Sequence, residues 1–301
     1  MPSIVVAIPN DSVLASEIGK LGSQNGITYY NRKSGDVVIV VLTPTDPSSK
    51  FYALGEIMSM ADLAVISTKN VDALMGESII MAAMLGKRAI FTMDNDISGI
   101  LKSIALQGSE FCDRKEILGK LEGYAKSSGQ GSEELRIDID KSFPVKGVGT
   151  VLLGVVRSGR VNVHDVLHSS RGKEIPVRSI QVHDEDQQYA VAGDRVGIAA
   201  KGIDYTDVEK GDVLSKERKQ NVSSVHADIR KSQILKDVEL DGLNCTLVNG
   251  FMVVNCKLSK EGEGFSVKME KPSALWKGDN FILIREKSPR VVGAGRVTGT
   301  G

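Results

Sequence analysis

The chain has 301 residues, of which 41% are hydrophobic and 25% charged, the composition of a soluble globular protein with two or three domains. Its 38 basic and 38 acidic residues give a net charge of zero, which excludes a histone-like DNA binder and an acidic tail protein but leaves room for a local RNA-binding patch. Aromatic residues make up only 5%, which disfavours a protein that stacks single-stranded bases.

The first 127 residues alternate strand-like and helix-like patterns. Short apolar runs predict strands, helical spacing predicts helices, and a turn ending in Gly35 predicts an early antiparallel hairpin. The six predicted strands cover residues 3–8, 27–31, 36–42, 62–67, 88–92 and 109–111. The five predicted helices cover residues 12–22, 47–60, 72–84, 97–106 and 115–126. This alternation predicts a mainly parallel, doubly wound sheet with helices on both faces.

The character of the sequence changes after a Gly/Ser-rich linker at residues 127–132. From residue 135 onward, short Val/Ile-rich runs are separated by glycines, a pattern typical of β-barrels or sandwiches. A polar, charged break at residues 215–220 divides this part. We therefore expect three domains: an α/β domain at residues 1–127 and β-barrels at residues 136–216 and 217–301.

Basic residues are concentrated near the end of the chain. Residues 217–301 carry 14 basic and 10 acidic side chains, whereas residues 1–130 and 131–216 carry 12 and 14 each. Pro289 predicts a turn between two strands, because it cannot continue a strand ladder. The candidate RNA contacts around this turn are Arg285, Lys287, Arg290 and Arg296. Two alternatives stay open: a solvated face, or Arg290 and Arg296 paired with carboxylates between domains.

No catalytic or metal-binding constellation is evident in the sequence. There is no HExxH, GxSxG or CxxC pair, and only His164 and His168 share metal-like spacing, in a strand–turn context. The three cysteines, Cys112, Cys245 and Cys256, are far apart and predict free thiols. The N-terminus is neither a signal peptide nor a membrane span. We expect a cytoplasmic protein with no catalytic residue, metal, cofactor, DNA partner or membrane partner.

Four motifs in the middle of the chain carry a family resemblance. They are FPVKGVGTVLLGVVRSG from residue 143, VRSIQVHDED from 177, AGDRVGIAAKGID from 192 and VEKGDVL from 208. In this order and spacing they resemble the second domain of the elongation factor Tu family of translational GTPases, with the selenocysteine-specific branch most similar. The ending RVVGAGRV, residues 290–297, resembles the last strand of that family's third domain. The resemblance implies a GTPase-like sheet, two barrels of the translation-factor type, and contact with tRNA or the ribosome.

The GTPase motifs of that family are missing. IPNDSVL at residues 8–14 replaces the phosphate-binding GxxxxGK[ST], and Asp11 places a carboxylate where phosphates would sit. LTPT at residues 42–45 replaces DxxG, with Asp46 in place of the catalytic histidine. FTMDND at residues 91–96 lacks the Asn and Lys of NKxD. Hydrolysis relies on electrostatic positioning by these parts, so we expect a degenerate domain with no nucleotide-binding residues.

Three functions remain compatible with these patterns. The resemblance favours a translation-factor-like protein that binds tRNA or the ribosome as a static binder or regulator, without GTP hydrolysis. The near-neutral first two domains suit a protein–protein interaction module that kept the fold but lost RNA binding. The third is a divergent nucleotide-binding protein with a non-standard loop.

Overall fold

The computed structural model describes residues 2–46, 52–104, 106, 108–127 and 134–300. Its first sheet has seven strands in the order β2-β3-β4-β1-β5-β6-β7. The strands are β1 (Ser3–Ala7), β2 (Lys20–Gln24), β3 (Ile27–Ser34), β4 (Val37–Pro44), β5 (Leu63–Ile66), β6 (Arg88–Thr92) and β7 (Glu110–Cys112). β3 and β4 form the predicted antiparallel hairpin, whereas β4, β1, β5, β6 and β7 run parallel.

Helices cover both faces of this sheet, as predicted. They are α1 (Ser12–Ile18), α2 (Ala53–Met60), α3 (Ala73–Met84), α4 (Ser98–Leu101) and α5 (Ile117–Ser127). Leu14 of α1 and Leu121 of α5 pack into the core on one face, and Ile57 of α2 and Ile79 of α3 pack into the core on the other. The apolar residues of β1 alternate between these two cores, which is why the strand reads as a continuous apolar run.

Two predicted helices are wrong in extent. The helix expected over residues 12–22 ends at Ile18, and β2 replaces its last turn. The helix expected over residues 97–106 is a single turn, Ser98–Leu101. The predicted start of α2 at residue 47 and the linker at residues 128–132 lie outside the described residues.

The second sheet contains seven strands in the order β11-β16-β8-β9-β15-β12-β13. β11 pairs with both β12 and β16, so six of these strands close into a ring. A separate two-stranded ribbon joins β10 and β14. The strands are β8 (Arg136–Val145), β9 (Gly149–Ser158), β10 (Arg160–Asn162), β11 (Val166–Ser169), β12 (Glu174–Val182), β13 (Glu185–Gln187), β14 (Tyr189–Val191), β15 (Arg195–Ala200) and β16 (Val213–Ser215).

The third sheet is a closed barrel in the order β17-β20-β19-β18-β21-β22. Its strands are β17 (Val222–Lys231), β18 (Asn244–Asn249), β19 (Met252–Glu261), β20 (Gly264–Ser273), β21 (Asn280–Ile284) and β22 (Val291–Thr300). The fold class predicted from the sequence, an α/β sheet followed by two β-barrels, is therefore confirmed. The domain boundaries at 127, 136 and 216 stay predictions.

None of the helices in the described ranges has the length and apolar character needed to cross a membrane. Within residues 134–300, the only helical segment is a single 3₁₀ turn, Tyr205–Asp207.

A buried guanidinium joins the two barrels. Arg136 on β8 donates from Nε to Asp138 Oδ1 at 2.8 Å, from Nη1 to Asp279 Oδ1 at 3.0 Å, and from Nη2 to Asn249 Oδ1 at 2.8 Å. Its guanidinium also lies over the Trp276 ring, 5.5 Å from the centroid. Although burial lowers the pKa of Arg136, the two carboxylates raise it above its ordinary value. The charge therefore stays in place and is fully paired, as a buried cation must be.

Helix α2 connects all three units, because every one of its eight residues is buried. Its apolar residues share one core with Val155 of the second sheet and with Val248 and Ile282 of the third. The helix lies directly against the third sheet at Gly55, where a Cβ would be in van der Waals contact, 3.4 Å, with methyl groups of Val248 and Ile282. The core of the first sheet is thus continuous with the interface to the barrels.

Polar contacts fix α2 against the barrels. The backbone N–H of Gly250, in the β18–β19 turn, donates to Ser59 Oγ at 2.8 Å. Glu56, only 1% exposed, pairs with Lys210 Nζ at 2.6 Å. Within the second sheet, Asp138, 2% exposed, accepts from Arg157 Nη1 at 3.2 Å. Ser59 and Glu56 of α2 therefore each have a partner supplied by a barrel.

We expect Gly250→Ala to destabilise the protein far more than Gly262→Ala. Both glycines have φ +57° in hairpin turns, so alanine pays the same left-handed backbone cost, about 1–2 kcal/mol, at each. A Cβ at Gly250 would lie 2.0 Å from Asp138 Oδ2, whereas nothing lies within 4 Å of one at Gly262. Overpacking should add about 2–4 kcal/mol at Gly250 alone. Thermal and urea unfolding midpoints of the two variants measure the difference. Equal midpoints would contradict the close contact between Gly250 and Asp138.

Candidate functional site

The carboxyl edge of the parallel strands is where open α/β sheets bind ligands, and here it is formed by residues 8–12, 67–72 and 93–97. We call these three segments the carboxyl edge. The first of them joins β1 to α1 in only four residues, IPND. Helix α1 has seven residues, and the side chain of Asp11 caps its start. This hydrogen bond within the chain fixes the geometry of the turn.

Asp11 closes the start of α1. It is the N-cap and accepts from Leu14 N at 2.8 Å, and its other oxygen accepts from Arg114 Nη1 at 2.9 Å. Arg114 also donates to Glu17 at 2.9 Å. Burial raises the pKa of Asp11, but the Leu14 and Arg114 hydrogen bonds outweigh this and hold it below its ordinary value. A carboxylate therefore occupies the helix start, the position at which a phosphate would otherwise be bound.

Side-chain hydrogen bonds also join the β1 and β5 loops. Asn10 Nδ2 donates to Ser67 O at 2.7 Å, and Ser67 N donates back to Asn10 Oδ1 at 3.0 Å. This reciprocal pair ties the two neighbouring loops together. The amide of Asn10 is thus used as an internal crosslink.

A second crosslink lies between the β5 and β6 loops, where the family places its guanine-reading residues. Thr68 N donates to Thr92 Oγ1 at 2.7 Å, and Thr92 Oγ1 donates to Asp94 Oδ2 at 2.5 Å. Thr68 Oγ1 accepts from Asp94 N and from Asn95 N, each at 3.1 Å. Asn95 Nδ2 donates to Thr68 O at 2.8 Å. Thr92, Asp94 and Asn95 of FTMDND are therefore all bonded to Thr68, and Thr92 is also bonded to Asp94.

Residues 42–45, which stand in place of the DxxG motif of the resembled family, lie at the end of β4. Thr43 lies directly opposite Thr28 in the β3–β4 hairpin. Thr28 Oγ1 and Thr45 Oγ1 are 2.9 Å apart, and Thr45 N donates to Gly26 O at 3.0 Å. These contacts continue the β3–β4 pairing to the end of β4.

Apolar side chains are also exposed at or beside this edge. Val13 is 61% exposed, Val71 56% and Met93 66%. Val13 stands one residue into α1, while the other two lie in the loops after β5 and β6. Strands β1, β5 and β6 are neighbours in the sheet, so the three side chains belong to one side of the molecule.

The candidate RNA contacts occupy two places rather than one. Residues 285–290 connect β21 to β22 as predicted, and we call this segment the basic turn. Arg285 N donates to Arg290 O at 2.9 Å, so these two residues are adjacent, with Lys287 exposed between them. Arg296 lies six residues further along β22, about 20 Å away at 3.3 Å per residue. It lines a different groove of about 900 Å³, which also contains Arg230 and Lys87.

Two of the arginines in the basic turn already have structural partners. Arg290 donates from Nε to Glu77 Oε2 at 2.9 Å and pairs through Nη2 at 2.8 Å, with the Glu77 side chain 6% exposed. Glu77 lies on α3, so this is an ion pair between the first and third sheets, one of the two alternatives that the sequence left open. Arg285 Nε donates to Lys287 O and Pro289 O, each at 3.0 Å, which fixes the turn.

Sequence reasoning missed the partners of these charges. Glu77 is 213 residues from Arg290, and Asp11 is 103 residues from Arg114. The buried Glu77 did carry a signal, since a carboxylate on the core side of an apolar helix requires a cationic partner. The sequence could not say which cation supplies it.

Comparison with known proteins shows which proteins share the sequence and fold of this chain. The profile of elongation factor Tu domain 2 matches residues 149–215. The uncharacterized protein MJ0325 of Methanocaldococcus jannaschii is 29% identical over 298 residues, 94% of this chain and 96% of that protein. The selenocysteine-specific elongation factor of the same organism is 32% identical over 169 residues, 54% of this chain but only 36% of that factor.

A solved structure matches along the whole chain. Translation elongation factor SelB from Methanococcus maripaludis, in complex with the GTP analogue GppNHp, superposes with a TM-score of 0.79 over 100% of this chain and 80% of that one, at 21% identity. The fold is therefore that of a translation elongation factor, with an α/β sheet and two barrels. The predicted resemblance to the translational GTPases, and to their selenocysteine-specific branch, is confirmed.

Arg290→Ala should lower the free energy of unfolding by about 2–4 kcal/mol, because it leaves the Glu77 carboxylate buried without its cation. Lys287→Ala, which removes an exposed charge three residues away, should change it by less than about 0.5 kcal/mol. Urea unfolding followed by circular dichroism measures both. If the two variants unfolded alike, the Arg290–Glu77 pair would not be a determinant of stability.

Proposed function

We propose that this protein is a translation-factor-like binder of tRNA or the ribosome that acts in the cytoplasm without GTP hydrolysis. One observation carries the proposal: the elongation-factor frame is retained throughout, while the carboxyl edge of the first sheet is crosslinked by its own side chains. A protein of this kind keeps the binding surfaces of its relatives and lacks the nucleotide-dependent change that would release them.

Electrostatics at the helix start supports the absence of nucleotide. Phosphate binding there requires free backbone N–H groups and cations directed outward. Leu14 N is already bonded to Asp11, and the neighbouring cation, Arg114, is neutralised by Asp11 and Glu17. A phosphate would have to displace the Asp11 carboxylate or lie beside it, and like charges at such distances repel strongly.

We expect no measurable affinity for GTP and no hydrolysis above the buffer rate. Titration calorimetry with GTP and Mg²⁺, and a phosphate-release assay, measure these two properties. An intact translational GTPase measured in parallel serves as the positive control. Magnesium-dependent binding in the micromolar range would instead identify a divergent nucleotide-binding protein, the third function that the sequence left open.

The third sheet is the best candidate for the RNA-binding surface. Residues 217–301 contain four more basic than acidic side chains, while the rest of the chain is slightly acidic. Lys287 of the basic turn is exposed, and Arg285 lines a groove in which Lys257 and Lys268 stand with Glu270 and Glu286, three basic side chains against two acidic ones. Lysine and arginine side chains grouped in this way are typical of phosphate-backbone contacts.

Changing Arg285 and Lys287 together to Ala should weaken the binding of unfractionated tRNA and reduce the salt slope of log Kd by about two units, since two phosphate contacts are lost. Fluorescence anisotropy over a range of KCl concentrations measures both quantities. The thermal midpoint should fall by no more than a few degrees, because Lys287 is exposed and Arg285 bonds only within its own turn.

The matched control is Lys102→Ala with Lys115→Ala, which removes two exposed charges from the first sheet. This pair should leave tRNA affinity and the salt slope unchanged. If both double variants lost affinity equally, binding would reflect net charge and not a surface on the third sheet. If neither did, the RNA contact would lie elsewhere or be absent.

A second candidate function is a protein–protein interaction module, and the exposed Val13, Val71 and Met93 favour it. Apolar side chains exposed on one side of a molecule are typical of a protein contact. If a correctly folded protein bound neither tRNA nor ribosomes at low salt, this candidate would be selected over the first.

A further inference from the structure

Two cysteines face each other across neighbouring strands of the third barrel. Cys245 on β18 lies directly opposite Cys256 on β19, and their Sγ atoms are 3.7 Å apart. The residues are 7% and 5% exposed and belong to the barrel core. The sequence separates them by ten residues, and the β18–β19 turn brings them together.

The two cysteines are placed so that a disulfide bond can form between them. Directly opposed residues of an antiparallel pair have Cα atoms about 4.5–5.5 Å apart, which lies inside the 4.4–6.8 Å span of disulfides. The Sγ atoms need to approach from 3.7 Å to about 2.05 Å, a change within reach of small side-chain rotations. The two strands and their hydrogen bonds can stay where they are.

The contact between the two sulfur atoms, together with burial, raises the pKa of Cys256 far above its ordinary value. Disulfide formation requires one of the two sulfurs to attack as a thiolate and the other to resolve the mixed disulfide that results.

We propose that Cys245 and Cys256 form a redox modification site, which a low-molecular-weight disulfide converts to a cross-strand disulfide. The thiolate of one cysteine attacks one sulfur of the small disulfide, forming a mixed disulfide and releasing one small thiolate. The other cysteine then gives up its proton and attacks the protein sulfur of the mixed disulfide, and the second small thiol leaves. Two protein thiols and one small disulfide thus become one protein disulfide and two small thiols.

The site lies beneath a surface that carries charge. Lys257 on β19 and Lys268 on the neighbouring β20 line a groove of about 780 Å³ together with Arg285. A disulfide would fix β18 against β19 at the floor of this groove. The proposal does not depend on RNA binding, because it concerns only the two sulfur atoms and the strands that hold them.

The test uses the full chain, incubated in its native state with 2-hydroxyethyl disulfide and then denatured and alkylated. We expect the number of free thiols to fall from three to one. Trypsin leaves both cysteines in one peptide, residues 237–257, since no Lys or Arg lies between them. This peptide should carry no alkyl group and weigh two hydrogen atoms less than the unalkylated dithiol peptide, and cleavage after Phe251 should leave the two halves linked until dithiothreitol is added.

Matched variants separate this site from the third cysteine. Cys112→Ser should still lose two thiols, because Cys112 lies in the first sheet and bonds only to Asp113 O in the described residues. Cys245→Ser and Cys256→Ser should each form no internal disulfide. The proposal is overturned if all three thiols of the native chain remain free, or if the linked peptide contains Cys112 or joins two chains. Peptide mapping of the unaltered chain decides this even if a serine variant fails to fold.

Discussion

The complete burial of α2 is the constraint on which the arrangement of the three units depends. A helix normally leaves one face in water, but here the first sheet covers one side and the barrels cover the rest. This burial demands partners for Glu56 and Ser59, and the barrels provide them through Lys210 and Gly250. The units cannot separate without exposing the helix and leaving a buried carboxylate without its cation, so packing and electrostatics favour the same closed arrangement.

The barrels are held in turn by charges whose partners come from different parts of the chain. Arg136 joins β8 to Asn249 and Asp279 of the third sheet, while Asp138 serves both Arg136 and Arg157. Asp138 also lies against Gly250, whose backbone bonds to Ser59 of α2. The Asp138 carboxylate therefore takes part both in the contact between the barrels and in the contact of α2 with the third barrel. A change at this carboxylate would therefore be felt at two interfaces at once.

At the carboxyl edge, the described polar side chains bond to each other and do not join the sheet to the barrels. The Asp11–Arg114 pair and the Thr68–Thr92 network use polar groups that a ligand would need. A polar group left without a hydrogen bond in a partly buried turn is destabilising, so bonds between these groups stabilise the folded state. Bonds between residues of the chain itself therefore stabilise this edge of the elongation-factor-like fold.

Much of this fold could be predicted from the sequence where local patterns decide the structure. Residues 88–92 form a strand as expected, and α3 at Ala73–Met84 follows the helix predicted over residues 72–84, because apolar runs and helical spacing are local signals. The helix at residues 12–22 was predicted too long because Leu21 has helical spacing, yet it is 58% exposed on β2.

The reason for that error is tertiary. A Cβ at Gly19 would lie 3.1 Å from the Asn31 backbone, and one at Gly22 would lie 2.6 Å from the Asn31 side chain. The two glycines let an edge strand pair closely with β3, a contact that no local pattern reveals. The ion pairs of the candidate sites were missed for the same reason, since they join residues more than a hundred positions apart.

The order of the chain gives the buried helix a further consequence during synthesis. Ser59 of α2 receives its hydrogen bond from Gly250, 191 residues later in the sequence. At about 5–20 residues per second, the helix must wait roughly 10–40 s on the nascent chain before its covering barrel exists. Over that interval its apolar surface is open to aggregation or to chaperones, so the rate of translation and the yield of folded protein are coupled through this one helix.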